Sequence, residues 1–356
     1  MNLQNLSFPE LSEALAGVGA STRACLKLFA AVHAHGVRSV ADLRRTPQVP
    51  RKVADALEAA GASFGALQVV ERRRAPDGFV KYLFDSPLGG RFEAVRIPLF
   101  DEKYVVCISS QVGCALACDF CMTGKLGFQR NLMTWEMLEQ VRLIRDEADR
   151  PVRGVVFMGM GEPLLNYVES VRAAQILSHP AGYCISGKAI SFSTAGVVPA
   201  IRRYVREGHP FRLVFSITSA IAEKRAQLMP VERTHPLPEL VDAIREYAAV
   251  RGERAMLAYV VIRGFNTGPE DARALEEAFR GIPVKVDLID VTDATGRYAP
   301  PDAEELKRFR DELQILRAPI ARRYSGGKEI GAACGTLAAS QEGGELWASP
   351  AAPFGA

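Results

Sequence analysis

The chain has 356 residues, 48% of them apolar, and a formal net charge of +3; it can bury a large core and suits one catalytic domain with a smaller accessory one. So slight a positive balance neither demands nor excludes RNA, because local patches matter more than the total. No apolar run reaches the length of a membrane span, and the opening MNLQNLSFPELSEAL lacks the features of a secretory signal, so a cytoplasmic protein without a membrane partner is expected.

Residues 1–75 read as a helical accessory domain. In RACLKLFAAVHAHGV, Cys25, Phe29 and Val32 share one helical face and Gly36 can end the helix. Short helices follow in VADLRRTP and PRKVADALEAAG. The Arg and Lys residues here are a solvated face or an RNA-touching appendage, and charge alone does not choose. Residues 76–100 form a β connector, with strands in FVKYLFD and FEAVRIPLF around a turn at Ser86–Gly90. From residue 101 to 335, apolar β-branched runs (VVFMGM, AISFSTAG, RLVFSITS, AMLAYVVI, VKVDLIDV) alternate with helical patterns. That alternation predicts an α/β core, a partial or complete (β/α) barrel of buried parallel strands. In such a barrel the active site lies at the C-terminal ends of the strands, where GMGEP, STAG and Ser216–Thr218 fall. Residues 336–356 read as a disordered, small-residue tail.

Seven cysteines in a reducing compartment suggest metal or redox chemistry rather than a disulfide framework. Cys114, Cys118 and Cys121 form a CxxxCxxC loop. Three thiolates can bind three irons of a 4Fe–4S cluster and leave one iron open, free to chelate S-adenosylmethionine (SAM). The competing reading is structural zinc, which wants four ligands; no fourth Cys or His has matching spacing, and none of the five histidines pairs beside the loop. In Gly159-Met160-Gly161-Glu162-Pro163, a glycine turn after a strand can bring backbone against a ligand, and Glu162 can accept from an ammonium group. Met158 and Met160 read as core filling.

These pieces, together with FEAVRIP, CISSQVGCALACDFCMTGKLGFQRNL, STAGVVPAI, LMPVERTHPL and IGAACGTLA, resemble the radical SAM RNA methyltransferases of the RlmN/Cfr family across most of the chain. The resemblance implies methylation of an adenine ring carbon, C2 before C8, in 23S ribosomal RNA and/or transfer RNA. It implies a 4Fe–4S cluster on Cys114, Cys118 and Cys121, two SAM molecules per turnover, an electron donor such as flavodoxin or ferredoxin, and a monomer. Carbon-2 of adenine is electron-poor, so a direct electrophilic methyl transfer is disfavoured, whereas a thiolate is a good acceptor. By this resemblance Cys334 carries the methyl, Cys107 resolves the protein–RNA adduct through a transient disulfide, and Glu93 or Cys107 takes the ring proton. Alone, Cys107 at the end of YVVC would be read as core about as readily as catalytic, and Glu93 as an exposed carboxylate. Cys25 and Cys184 read as structural thiols.

The resemblance also assigns Gly161, Glu162, Ser193, Ser216, Ile217, Thr218 and Thr292 to SAM binding, but this chain departs from the pattern there. A Ser-Leu-His step reads Ser216-Ile217-Thr218, an Asn-Pro step reads Thr292-Asp293, and an EYV strand reads Ala258-Tyr259-Val260. Threonine can still hydrogen-bond in place of His or Asn. A diverged paralogue is expected. The alternatives are a radical SAM enzyme on another substrate, or a catalytically silent RNA-binding paralogue. RNA would have to present a loop or a flipped base, its phosphates tracked by KLGFQRN, IRRYVREGHPFR or ARRYSGGK.

Overall fold

The computed structural model describes residues 1–100, 102–293 and 295–338; most of the expected C-terminal tail therefore lies outside the described residues. A capping box at Ser7 and Glu10, whose carboxylate accepts the Ser7 N–H at 2.8 Å, starts α1 (Phe8–Ala14). Ser21 caps α2 (Thr22–His33) through the Ala24 N–H, and Ser39 caps α3 (Val40–Arg45). Helix α4 (Arg51–Ala59) follows Pro50. Helix α2 buries the expected face of Cys25, Phe29 and Val32, with Leu28 beside them.

This module is not a detached appendage. Its apolar residues belong to the same hydrophobic cluster as the rest of the chain. The buried carboxylate of Glu139 accepts hydrogen bonds from Arg38 at 2.9 Å and Gln4 at 3.3 Å, and the Trp135 N–H donates to Asn5 Oδ1 at 2.8 Å. The Phe29 ring packs between His33 and His179.

His33 gives this interface a pH dependence. Burial, helped by the nearby charges of Arg38 and His179, lowers its pKa from 6.5 to about 3. In the unfolded chain the imidazole takes a proton below about pH 6.5; in the folded chain it stays neutral down to about pH 3. Its contribution is therefore whole above pH 6.5 and is lost as pH falls from there toward 3. We expect the urea midpoint to drop between pH 7 and pH 5, and His33→Phe to flatten that drop.

The strands in chain order are β1 (Gln68–Arg74), β2 (Val80–Asp85), β3 (Arg91–Leu99), β4 (Lys103–Cys107), β5 (Gln111–Gly113), β6 (Phe128–Asn131), β7 (Val152–Phe157), β8 (Ile190–Thr194), β9 (Arg212–Ser216), β10 (Ala255–Val261), β11 (Val284–Asp290) and β12 (Ile320–Arg323). Ten of them form one sheet in the order β1-β2-β3-β4-β7-β8-β9-β10-β11-β12; β5 and β6 make a separate hairpin. From β4 to β12 every pairing is parallel, whereas β1, β2, β3 and β4 pair antiparallel. The sheet stays open, with β1 at one edge and β12 at the other, so the expected α/β core is a partial barrel.

Strand β1 corrects the reading of residues 1–75 as wholly helical. The segment QVVERRR offers no apolar helical face; as an edge strand it presents Arg72 to Glu147 and pairs with β2. The connector is therefore a direct extension of the barrel sheet. Residues 336–338 are likewise no part of a free tail: Thr336, Leu337 and Ala338 are buried.

The remaining helices are α5 (Met122–Lys125), α6 (Thr134–Asp146), α7 (Tyr167–Ser178), α8 (Val198–Glu207), α9 (Ala222–Leu228), α10 (Leu237–Arg251), α11 (Pro269–Phe279) and α12 (Ala303–Glu312). The strand period of two divides the parallel strands into two faces. Phe192, Phe215, Leu257 and Leu288 are fully buried in the main core, whereas Val156, Ser193, Val214, Ser216, Ala258 and Ile289 line a cavity on the other face. No helix among the described residues is long and apolar enough to cross a membrane.

Candidate active site

The cavity at the C-terminal ends of the strands has a volume of about 550 Å³, within the range of small-molecule sites. All three cysteines of the CxxxCxxC loop line it, and so do Cys107 and Cys334. The loop is held from several sides. The Cys114 N–H donates to the Gly127 carbonyl at 2.9 Å, and the Asp119 N–H to the Leu228 carbonyl at 2.9 Å. Asp119 also meets Arg297 at 2.6 Å and accepts from the Tyr298 hydroxyl. Burial pushes the Cys114 thiol up to about 12 and raises Cys118 too, where the charges of Cys121 and Cys114 add to the effect.

The donor set fits the expected cluster. Among the described residues no three Cys, His, Asp or Glu side chains converge tightly enough to hold a single metal ion. A lone zinc would gather four ligands at about 2.0–2.3 Å each; a cubane lets each thiolate meet its own iron and leaves one corner open.

The wall expected to meet SAM is built on the turn after β7. Gly161 has φ +98°, and a Cβ there would meet Gln111 Cβ at 2.5 Å; one at Gly159 would meet the Ile108 backbone at 2.7 Å. Only glycine admits so close an approach between the turn and the start of the cysteine loop. Glu162 lines the cavity and is nearly buried, its two oxygens accepting the Leu164 N–H at 3.0 Å and the Ala195 N–H at 2.8 Å. Burial raises its pKa to about 7 against those lowering hydrogen bonds. Ser193 and Ser216 face each other across the floor, their hydroxyls 3.4 Å apart. Thr292 and Asp290 also line the cavity, and Thr292 Oγ1 and Asp290 Oδ1 are buried without a hydrogen-bond partner. Unpaired buried polar atoms on a cavity wall fit a polar ligand such as SAM.

Ile217 and Thr218 do not line the cavity. Strand alternation that turns Ser216 inward sends Ile217 into the core, and Thr218, at φ +58°, is fully buried in the following turn. Met160 is buried in the core as expected, whereas Met158 lines the cavity, with Sδ 3.4 Å from Arg323 Nη1.

Cys107 ends β4 and is 8% exposed; Cys334 is exposed. Burial, with a contribution from Cys334, pushes the Cys107 thiol up to about 12, while the Arg323 guanidinium opposes the shift. Both are free thiols, so no disulfide joins them in this structure. Cys25 is buried, Cys184 is exposed, and neither lines the cavity. Glu93 does not line it either; it is fully buried beneath the C-terminal segment.

Several residues here escape sequence reasoning. Buried Arg225 ties the ends of β8 and β9 together through the carbonyls of Ala195 at 2.8 Å and Ser216 at 3.0 Å, its charge met by Glu232 at 2.8 Å. Glu232 lies in LMPVERTHPL, the one sequence signal for this brace. Of the three basic segments, only ARRYSGGK reaches the cavity, with Arg323 inside and Tyr324, 73% exposed, on its wall.

Residues 108–278 match the family described as "Radical SAM superfamily". The chain is 71% identical over 351 residues to "Probable RNA methyltransferase" of Myxococcus xanthus (strain DK1622), covering 99% of this chain and 98% of that one. It is 40% identical over 343 residues to "Dual-specificity RNA methyltransferase RlmN" of Syntrophobacter fumaroxidans (strain DSM 10017 / MPOB), covering 95% and 98%. Among solved structures, a radical SAM methyltransferase from Sphaerobacter thermophilus superposes with a TM-score of 0.85 at 33% identity, covering 96% of this chain and 100% of the other.

Proposed function

From the premise that this chain belongs to the radical SAM RNA methyltransferases of the RlmN type, we propose that it methylates carbon-2 of an adenine in ribosomal RNA, transfer RNA or both, through a methyl carried on Cys334. The observation that supports this reading is the meeting of Cys107 and Cys334 with the cysteine triad in one cavity. A radical SAM enzyme acting on other substrates has no use for a methyl-carrying thiol, so the pair also favours catalysis over a silent RNA-binding role.

Cys114, Cys118 and Cys121 would hold the 4Fe–4S cluster, and Gly161, Glu162, Ser193, Ser216 and Thr292 would hold SAM. When bound, these two groups supply the methyl and the one-electron chemistry that activates it. The protein's own part is nucleophilic and positional. Cys334, exposed on its loop, accepts the methyl as a thioether and presents it to the adenine ring. Cys107 stands behind it at the end of a rigid strand. Once a base has taken the ring proton, the Cys107 thiolate attacks the Cys334 sulfur. The bond from that sulfur to the transferred carbon breaks, its electron pair passes to the adenine side, and the carbon takes up a proton to become the methyl group. A Cys107–Cys334 disulfide is left for cellular thiols to reduce. The apolar walls of Val95, Ile97 and Val214 keep water from the reacting carbon.

The test is nucleoside analysis of RNA incubated with the reconstituted enzyme, SAM and a reductant. We expect 2-methyladenosine. The appearance of 8-methyladenosine would move the site to the other ring carbon. The absence of any methylated adenosine from all RNA classes would overturn the reading.

A further inference from the structure

The segment that carries Cys334 is built from Gly331, Ala332, Ala333 and Gly335, side chains too small to fix their own place by packing. Beside the buried Ala332 and Leu337, polar anchors help to set its position. Four are supplied by its surroundings: the Gly327 N–H donates to Asp77 at 2.8 Å, the Cys334 N–H to Ser325 Oγ at 3.2 Å, the Met122 N–H to the Gly335 carbonyl at 2.8 Å and the Thr123 hydroxyl to the Leu337 carbonyl at 2.7 Å.

Beneath them lies a charged pair that the proposed chemistry leaves unexplained. Lys81 on β2 is 5% exposed and Glu93 on β3 is fully buried, and the two strands place them opposite Val95 and Leu83 respectively. Glu93 Oε2 accepts the Ala338 N–H at 2.9 Å. Its Oε1 lies 3.0 Å from Lys81 Nζ, in an ion-pair contact whose angle makes no well-formed hydrogen bond. On the other side, Lys81 Nζ sits 3.3 Å from where a Cβ on Gly331 would be. The pair thus touches the cysteine segment both before and after Cys334. A buried ion pair adds little net stability, while removing one partner strands the other charge; its use here is to define position.

We infer that Lys81 and Glu93 are positioning residues, a latch that sets Cys334 over the cavity. This rests on the reading that Cys334 carries the methyl, and it gives Glu93 a different task from receiving the adenine proton. Its carboxylate is enclosed below the segment and does not reach the cavity.

Two readouts on the full-length, cluster-loaded protein separate these roles. In the absence of RNA, Glu93→Gln and Lys81→Met should each slow methylation of Cys334 about tenfold or more at unchanged iron content, and Lys81→Arg should restore it. Normal Cys334 methylation with loss of adenine methylation alone would assign Glu93 to the ring proton and overturn the latch. The second readout needs no activity: trypsin should cut after the exposed Lys328 about tenfold faster in both variants than in the parent or Lys81→Arg. An unchanged rate at Lys328, or a rise spread evenly along the chain, would overturn the latch. Failure of the functional reading looks different, since the parent protein itself would then bear no methyl on Cys334 while its Lys328 remained protected.

Discussion

Replacing Cys107 with alanine is expected to leave RNA covalently attached to Cys334. Cys107 occupies the last position of β4, held between β3 and β7, and lines the cavity that Cys334 also lines. Alanine keeps the strand and removes only the sulfur, so the fold and the iron content should be unchanged. What disappears is the nucleophile that frees the product. Multiple-turnover methylation should fall on the order of a hundredfold or more. A denaturing gel should show a protein–RNA band that nuclease digestion collapses. Free methylated RNA at the parental rate, with no such band, would remove Cys107 from the resolving role.

The second large effect concerns the triad. Cys118→Ala takes one of three thiolates from a cluster that already leaves one iron without a protein ligand. Two thiolates from one short loop hold a cubane poorly, so anaerobically purified protein should lose most of its iron and visible absorbance, and product should fall below detection. Cys118 is packed against a small satellite group that includes Leu228, Met229 and Ile262, away from the main core, so the far-ultraviolet circular dichroism should remain that of the parent. A colourless parent protein with stoichiometric zinc would contradict the cluster reading altogether.

The parts of the site written as contiguous motifs were the legible ones. Three cysteines at CxxxCxxC spacing and the GMGEP turn announce themselves because chemistry and close backbone approach demand those residue types at that spacing. Alternating apolar runs and helical patterns gave the α/β core, since buried parallel strands need little else. Cys107 and Cys334 were a different case: 227 positions apart in the chain (334 − 107), they are joined by resemblance rather than by any local pattern. Ile217 and Thr218 fell outside the cavity because a motif read as a string ignores the strand's alternation of faces. Strand β1 leaves no mark in the sequence because an arginine-rich edge strand shows no apolar periodicity. Arg225, Lys81 and the burial of Glu93 carry no local sign, since each takes its meaning from partners brought near only by the folded sheet.

The central claim is that a thiol near the chain's end transports the methyl. It is tested most directly by mass spectrometry of the peptide containing Cys334, taken from cluster-loaded protein supplied with SAM carrying a deuterated methyl group. The account predicts one labelled methyl on Cys334 and none on Cys107. A preparation that methylates RNA while Cys334 stays unmodified throughout turnover would contradict it.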